Sequence, residues 1–237
     1  MKIKRTLLAL VCSFMVVNTA SAALALDSTR YIYDGDATSI SAIVNNASDK
    51  MYGAQVWVAN MDKSDTRPVF IATPSFFKIK GHGKQVFRIM KMTDYMPKNK
   101  ESVYWLNLQE IPPLLKGNGI SMAIRTRVKL IYRPQSLMKG RKDAESRMTI
   151  EYLPGEKYLV NSTPYIFSIG ELLNNKNKPV VLNAAETKEL TMFMPGDKVN
   201  ITGKTVKAVK ALNDYGNLNT YVLKTSDNNV NATEKKM

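Results

Sequence analysis

From Tyr31 onward the chain is a succession of short aromatic and β-branched runs, each cut off within a few positions by Gly, Pro, Asn or Asp. Tyr31-Ile32-Tyr33 ends at Asp34-Gly35-Asp36, and Ser39 to Val44 ends at Asn45-Asn46. Further runs cover Ala54–Ala59, Phe70–Ala72, Phe76–Ile79, Val86–Met90, Val103–Leu108 and Ile120–Tyr132. Runs of this length and composition predict strands rather than helices. About seven of them in roughly 110 residues suit an antiparallel sandwich. Arg133 to Glu145 breaks the rhythm with Pro134, Gly140 and several charges, and reads as a linker. Strand signals resume at Met148–Leu153, Lys157–Asn161, Tyr165–Ile169, Val180–Leu182, Leu190–Phe193 and Thr220–Leu223, with turns at Pro154-Gly155, Pro195-Gly196 and Asn213–Asn217. The expected class is all-β, in two sandwiches over residues 23–140 and 141–225, with a polar tail from 226 to 237.

The first residues belong to transport rather than to the fold. Lys2, Lys4 and Arg5 precede an apolar run from Leu7 to Val17, and Ala20-Ser21-Ala22 supplies small residues at a cleavage site. The run is far shorter than the roughly 20 residues a bilayer requires. The expectation is a signal peptide over 1–22, cut near Ala22, and a mature protein outside the cytoplasm. Cys12, the one cysteine, leaves with it, so the mature chain is stabilised by packing and not by a disulfide. Cleavage also lowers the formal charge from +14 to +11, from 31 basic and 20 acidic residues. So basic a surface suits nucleic acid, anionic lipid or an acidic partner. Export argues against nucleic acid, and no basic amphipathic helix favours lipid or membrane insertion. An acidic or carboxylate-bearing protein partner remains.

The residue inventory leaves little room for catalysis. One histidine and no mature cysteine cannot build a His/Cys zinc site. No glycine-rich phosphate loop is present. His82 could serve a Ser-His-Asp arrangement, but it sits between Gly81 and Gly83 in a hairpin turn, where an exposed loop residue is the simpler reading. No metal, cofactor or enzymatic activity is expected.

The stretch Ile120 to Leu130 carries the most information. Alternation sets Ile120, Met122, Ile124, Val128 and Leu130 on one face and Arg125, Arg127 and Lys129 on the other. That is the pattern of a half-buried strand with a wet charged side. It is equally the pattern of a long edge strand whose backbone groups can pair with another chain.

The surrounding motifs resemble the periplasmic pilus-assembly chaperones, the PapD-like family. Leu26-Asp27-Ser28-Thr29-Arg30-Tyr31-Ile32-Tyr33 is similar to the family's first strand, and Ile71-Ala72-Thr73-Pro74 to its Thr-Pro turn. Glu101 to Pro113 resembles the family signature, and Arg127 to Pro134 the end of its donor strand. Asn161-Ser162-Thr163-Pro164-Tyr165 and Asn213-Asp214-Tyr215-Gly216 fit the second domain. Pro97-Lys98-Asn99-Lys100-Glu101 departs from the family's Pro-x-Asp-Arg-Glu, and the cysteine pair of some members is absent.

The resemblance implies two immunoglobulin-like domains in a boomerang, with a cleft between them. It implies a chaperone that binds, folds and caps pilus subunits by lending them a strand and then delivers them to an outer-membrane usher. Self-association of the free protein is left open. A structural pilus subunit or adhesin is the alternative reading for an exported β protein. By position, Ile120, Met122 and Ile124 are the donated side chains, and the short loop Leu114–Gly119 before them resembles the short-loop branch. Arg30 and Lys129 match the cations that hold the subunit's C-terminal carboxylate. Glu101, Arg133 and Asp214 match an interdomain charge network.

Overall fold

The computed structural model describes residues 22–115 and 117–224. The leader, apart from Ala22, and the tail from 226 to 237 lie outside the described residues. Within them the chain runs β1 (Leu24–Leu26), β2 (Arg30–Asp34), β3 (Ser39–Asn46), β4 (Tyr52–Asn60), β5 (Phe70–Thr73), β6 (Phe76–Ile79), β7 (Lys84–Lys91), β8 (Ser102–Ile111) and β9 (Arg125–Arg133). These form a four-stranded sheet, β1-β3-β7-β5, and a five-stranded one, β2-β9-β8-β4-β6.

Alternation does the assembly. Ala42 and Val44 from β3, Phe87 and Ile89 from β7, Val56 from β4, Leu106 and Leu108 from β8 and Leu130 from β9 meet in one core. Tyr33, Phe70 and Tyr104 anchor its end, with ring centroids 4.9 and 5.0 Å apart in sequence. The N-terminal segment changes sheet: β1 pairs antiparallel with β3, and after Asp27–Thr29 β2 pairs parallel with β9. Asp27 fixes the crossover, since its Oδ1 accepts from the Ile43 amide at 3.0 Å and from the Tyr31 hydroxyl at 2.5 Å.

The rest of the chain forms β10 (Thr149–Leu153), β11 (Glu156–Val160), β12 (Ile169–Leu173), β13 (Lys198–Asn200), β14 (Ala208–Leu212) and β15 (Leu218–Val222). They make two three-stranded sheets, β10-β11-β13 and β12-β14-β15, around a second core that includes Met148, Leu159, Phe167, Phe193, Val199 and Val209. Asn161 is fully buried and explains its motif: its amide donates to the Tyr165 and Phe193 carbonyls at 2.8 and 3.0 Å, and its Oδ1 accepts from Thr163. Between the cores, a short helix over Gln135–Met138 and a 3-10 turn over Ala144–Arg147 carry the chain across, and Leu137 packs on the second core.

Local departures from the sequence reading have physical causes. Leu190 lies in a helix, Ala184–Thr191, and not in a strand over Leu190–Phe193. Asn183 starts that helix with a capping box closed by Glu186, and Leu190 alone is buried in it, so it shows no apolar period. Val180–Leu182 makes no strand. Pro179 offers no amide, and Val180 donates once, to Leu172, at 2.8 Å. The strand expected over Ile120–Tyr132 begins only at Arg125. Its neighbour β8 ends at Ile111, where Pro112 and Pro113 follow with no N–H to extend the ladder.

Candidate functional site

Three groups of side chains meet where the two cores face each other. The first is a pair of cations. Parallel pairing of β2 with β9 places Arg30 directly beside Lys129 on the outer face of the five-stranded sheet. Trp105 of β8 stands opposite Lys129. The two cations open onto a cleft of about 440 Å³ that Ser168, Gly170, Thr191 and Leu218 close from the second domain.

Neither cation has a carboxylate within ion-pair distance among the described residues. Lys129 Nζ donates to Ser168 Oγ and the Thr191 carbonyl, both at 2.5 Å. Burial, with the neighbouring charge of Arg30, pulls the ammonium down to about 8. Arg30 is only 6% exposed, and its Nη1 makes a 3.3 Å bond to the Leu212 carbonyl. Burial lowers the guanidinium, and the acids Asp214 and Glu145 offset this only in part. Its Nε is buried with no acceptor. A buried donor left unmade costs about 1–3 kcal/mol, and among the described residues Arg141 Nε is the other guanidinium nitrogen in this condition.

The second group is a strand edge. β2 accompanies β9 only from Lys129 to Arg133, because the chain N-terminal to Arg30 has already crossed to the other sheet. Residues Arg125 to Val128 are therefore paired on the β8 side alone. Their other side borders a groove of about 590 Å³ lined by Leu24, Leu26, Thr29, Thr126, Val128 and Tyr215. Just before it, Ile120, Met122 and Ile124 are 91%, 73% and 38% exposed. Side chains this apolar and this open are not part of a core of their own. A free backbone edge preceded by three exposed apolar residues at alternate positions can pair with another chain.

The third group is closed. Arg133, 4% exposed, donates from Nε to Glu101 Oε1 at 2.5 Å and from Nη1 and Nη2 to Asp214 at 2.7 and 2.9 Å. Glu101 also accepts from the Ile166 amide at 2.7 Å, and Ile166 packs with Val103 and Ile131 of the first domain in a small cluster at the junction. Burial raises the Glu101 carboxyl more than Arg133 and that amide lower it. Burial raises Asp214 too, but the forked bonds and charge of Arg133, with Arg141 and Arg30, hold it below the usual carboxylate range.

The Asp214 turn is shaped for its place. Asn213 Oδ1 accepts from the Tyr215 and Asn217 amides at 3.0 and 2.9 Å. Gly216 has φ of 83°, and a Cβ there would lie 2.6 Å from Thr29 Oγ1. Only glycine lets the turn close on the start of β2.

Sequence reasoning missed two members of this network. Arg141 reaches Asp214 at 3.3 Å and holds fully buried Glu145 with a fork at 2.7 and 2.9 Å. The signal was the spacing of four between an arginine and a glutamate, inside a stretch whose charges read as linker. His82 is exposed on the β6–β7 turn, where its Nε2 lies 2.6 Å from Asp49 Oδ1. Among the described residues no group of three or more His, Cys, Asp or Glu is placed to hold a metal.

Known proteins share this sequence and architecture. Residues 23–138 match the model of the pili and flagellar-assembly chaperone family, PapD N-terminal domain. Chaperone protein FaeE of Escherichia coli is 49% identical over 211 residues, covering 88% of this chain and 81% of that protein. Chaperone protein ClpE of Escherichia coli is 47% identical over 234 residues, covering 93% and 89%. Among solved structures, the periplasmic chaperone SfaE superposes with a TM-score of 0.66 at 30% identity, over 85% of this chain and 99% of that one.

Proposed function

The chain belongs to the family of pilus-assembly chaperones with two immunoglobulin-like domains, and from that premise we propose that it captures pilus subunits by lending them the free edge of β9. It is a periplasmic chaperone in pilus assembly. The observation that carries the mechanism is that the open backbone edge of β9 ends at Lys129, beside buried Arg30 of β2, with no carboxylate in ion-pair range of either among the described residues.

Pairing by backbone alone does not fix register, because a slip of two residues restores the same face. Arg30 and Lys129 supply the missing stop. A subunit's C-terminal carboxylate bound between them ends the added strand at the level of Lys129. Arginine offers a planar fork to such a group and lysine a compact charge. The bound carboxylate also supplies the acceptors that Arg30 lacks, and charge-assisted hydrogen bonds offset its desolvation. With the strand so placed, Ile120, Met122 and Ile124 enter apolar pockets of the subunit, which explains why they have none here. The Arg133 network joins the two domains and holds the cleft at a set width.

The work is done by binding, with no chemical step. The protein acts after removal of the leader near Ala22, and the loaded complex is passed to an outer-membrane usher. When no subunit is bound, the open edge is available to a second copy of the chain. The test is recovery of chaperone–subunit complexes from periplasm after co-expression with a subunit of the same pilus. Arg30→Ala and Lys129→Ala should each abolish recovery with an unchanged circular dichroism spectrum. Full recovery with the double variant would overturn the anchor.

A further inference from the structure

The cation pair is one end of a longer row. Arg125 and Arg127 stand at alternate positions of β9 on the same outer face as Lys129, opposite Gln109 and Asn107 of β8. Successive members of such a row are about 7 Å apart, inside the screening length at physiological salt, so they repel one another. Among the described residues neither arginine has an acid in ion-pair range.

Each is held by its own sheet instead. The Arg125 guanidinium lies 5.1 Å from the Trp57 ring and the Arg127 guanidinium 5.3 Å from the Trp105 ring. Each Nε donates to a side-chain amide oxygen, at 3.1 Å to Gln109 and 3.3 Å to Asn107. The indole faces and amides orient the guanidiniums without neutralising them, and the remaining N–H groups stay open to solvent.

We propose that this row selects the captured strand by charge: it favours subunits with carboxylates two and four residues before the C-terminal residue. The inference rests on the strand-addition reading above. A C-terminus held at Arg30 and Lys129, with the strand extending back toward Arg125, runs parallel to β9. Side chains alternate along it, so the residue two places back stands beside Arg127 and the residue four places back beside Arg125, on the same outer face. The odd positions turn toward the face of Val128 and Thr126. Acids at the two even positions neutralise the row, and lysines there lengthen it.

The test uses three fluorescein-labelled twelve-residue peptides of alternating Val and Thr with a free C-terminal carboxylate. They differ only in carrying Asp, Asn or Lys at the two even positions, and binding to the mature protein is read by fluorescence anisotropy. The Asp peptide should bind roughly three- to thirtyfold more tightly than the Asn peptide, as expected of two exposed ion pairs. The Lys peptide should be the weakest, and the spread should narrow at high salt. In the variant Arg125→Gln/Arg127→Gln the three affinities should converge. In Lys84→Gln/Arg88→Gln, which removes the same charge from the other sheet, the ranking should persist. Equal binding of all three peptides to the unaltered protein overturns the inference and leaves strand addition standing. So does loss of the ranking in the Lys84/Arg88 variant, which would assign it to net charge. Failure of all three to bind overturns strand addition and the inference with it.

Discussion

Arg133 and Arg30 are both nearly buried arginines at the junction of the two domains, yet their surroundings are opposite. Arg133 spends three N–H groups on two carboxylates; Glu101 accepts a further bond from the Ile166 amide, and Asp214 lies in ion-pair range of Arg141. Arg30 makes one long bond to a carbonyl, keeps an unpartnered Nε and faces a second cation. A buried charge whose partners are internal serves the fold. On the capture mechanism proposed above, Arg30, with no carboxylate in ion-pair range among the described residues, is where a subunit's carboxylate binds. On that reading the junction divides into a part that sets geometry and a part that binds.

The strongest way to break this distinction is to remove Arg133. Arg133→Ala leaves Glu101, which is fully buried, without its cation and Asp214 with only Arg141. Breaking a buried pair in this way costs about 3–5 kcal/mol. Urea unfolding should show that loss, beginning with separation of the two domains. Arg30→Ala should cost far less. Equal destabilisation by both would mean that Arg30 is structural after all.

Lys129 sharpens the comparison with a pH dependence. Its folded pKa of about 8 lies below the ordinary lysine value near 10.4, so between those values the unfolded chain binds more protons. Stability from this group therefore rises with pH across that window, and the full cost of the buried charge is present below it. Lys129→Met should be more stable than the unaltered protein at pH 7, by about 1–2 kcal/mol after allowance for partial exposure. The margin should vanish above about pH 10.5. Subunit binding should move the other way, weakening as pH rises through about 8, where the ammonium is lost. A margin independent of pH would assign the gain to apolar packing.

Much of this was legible before any coordinates. β3 and β7 alternate between buried and more open positions while β8 is buried on both faces, and reading by short apolar runs between turn residues located both kinds. It misplaced the second domain's short helix, since Ala184–Thr191 touches the core through Leu190 alone and carries no period to detect. It also missed β14, whose Ala-Val-Lys-Ala-Leu composition has little strand character and is held by pairing with β12 and β15. The site was legible only through family motifs. Arg30 and Lys129 come from opposite ends of the first domain, and nothing local says that β2 and β9 lie side by side. Arg141 and Glu145 were lost in a segment that looked like linker. The row of Arg125 and Arg127 was visible as alternation, but its tryptophan supports lie on other strands.

The smallest expected effect on stability belongs to the segment that the strand-addition mechanism makes central to capture. Ile120, Met122 and Ile124 precede β9, and Met122 is 73% exposed. In the free protein a charge at Met122 displaces no core atom and unpairs no backbone group. Surface changes of that kind stay within about 0.5 kcal/mol. By the strand-addition mechanism the same position enters an apolar pocket of the subunit, where an unpaired carboxylate costs several kcal/mol and shifts the balance toward dissociation. Met122→Glu should therefore melt within about 1–2 °C of the unaltered protein, the shift expected of so small a change in a chain of this size, and should yield no subunit complex from periplasm. The Arg125–Val128 edge remains intact in that variant, so loss of capture would separate the side-chain contribution from backbone pairing. A marked drop in melting temperature would show that Met122 packs within its own domain, and the donated stretch would then begin at Arg125. Retained capture would place the pocket-filling role elsewhere, with Ile124, the least exposed of the three, as the residue to change next.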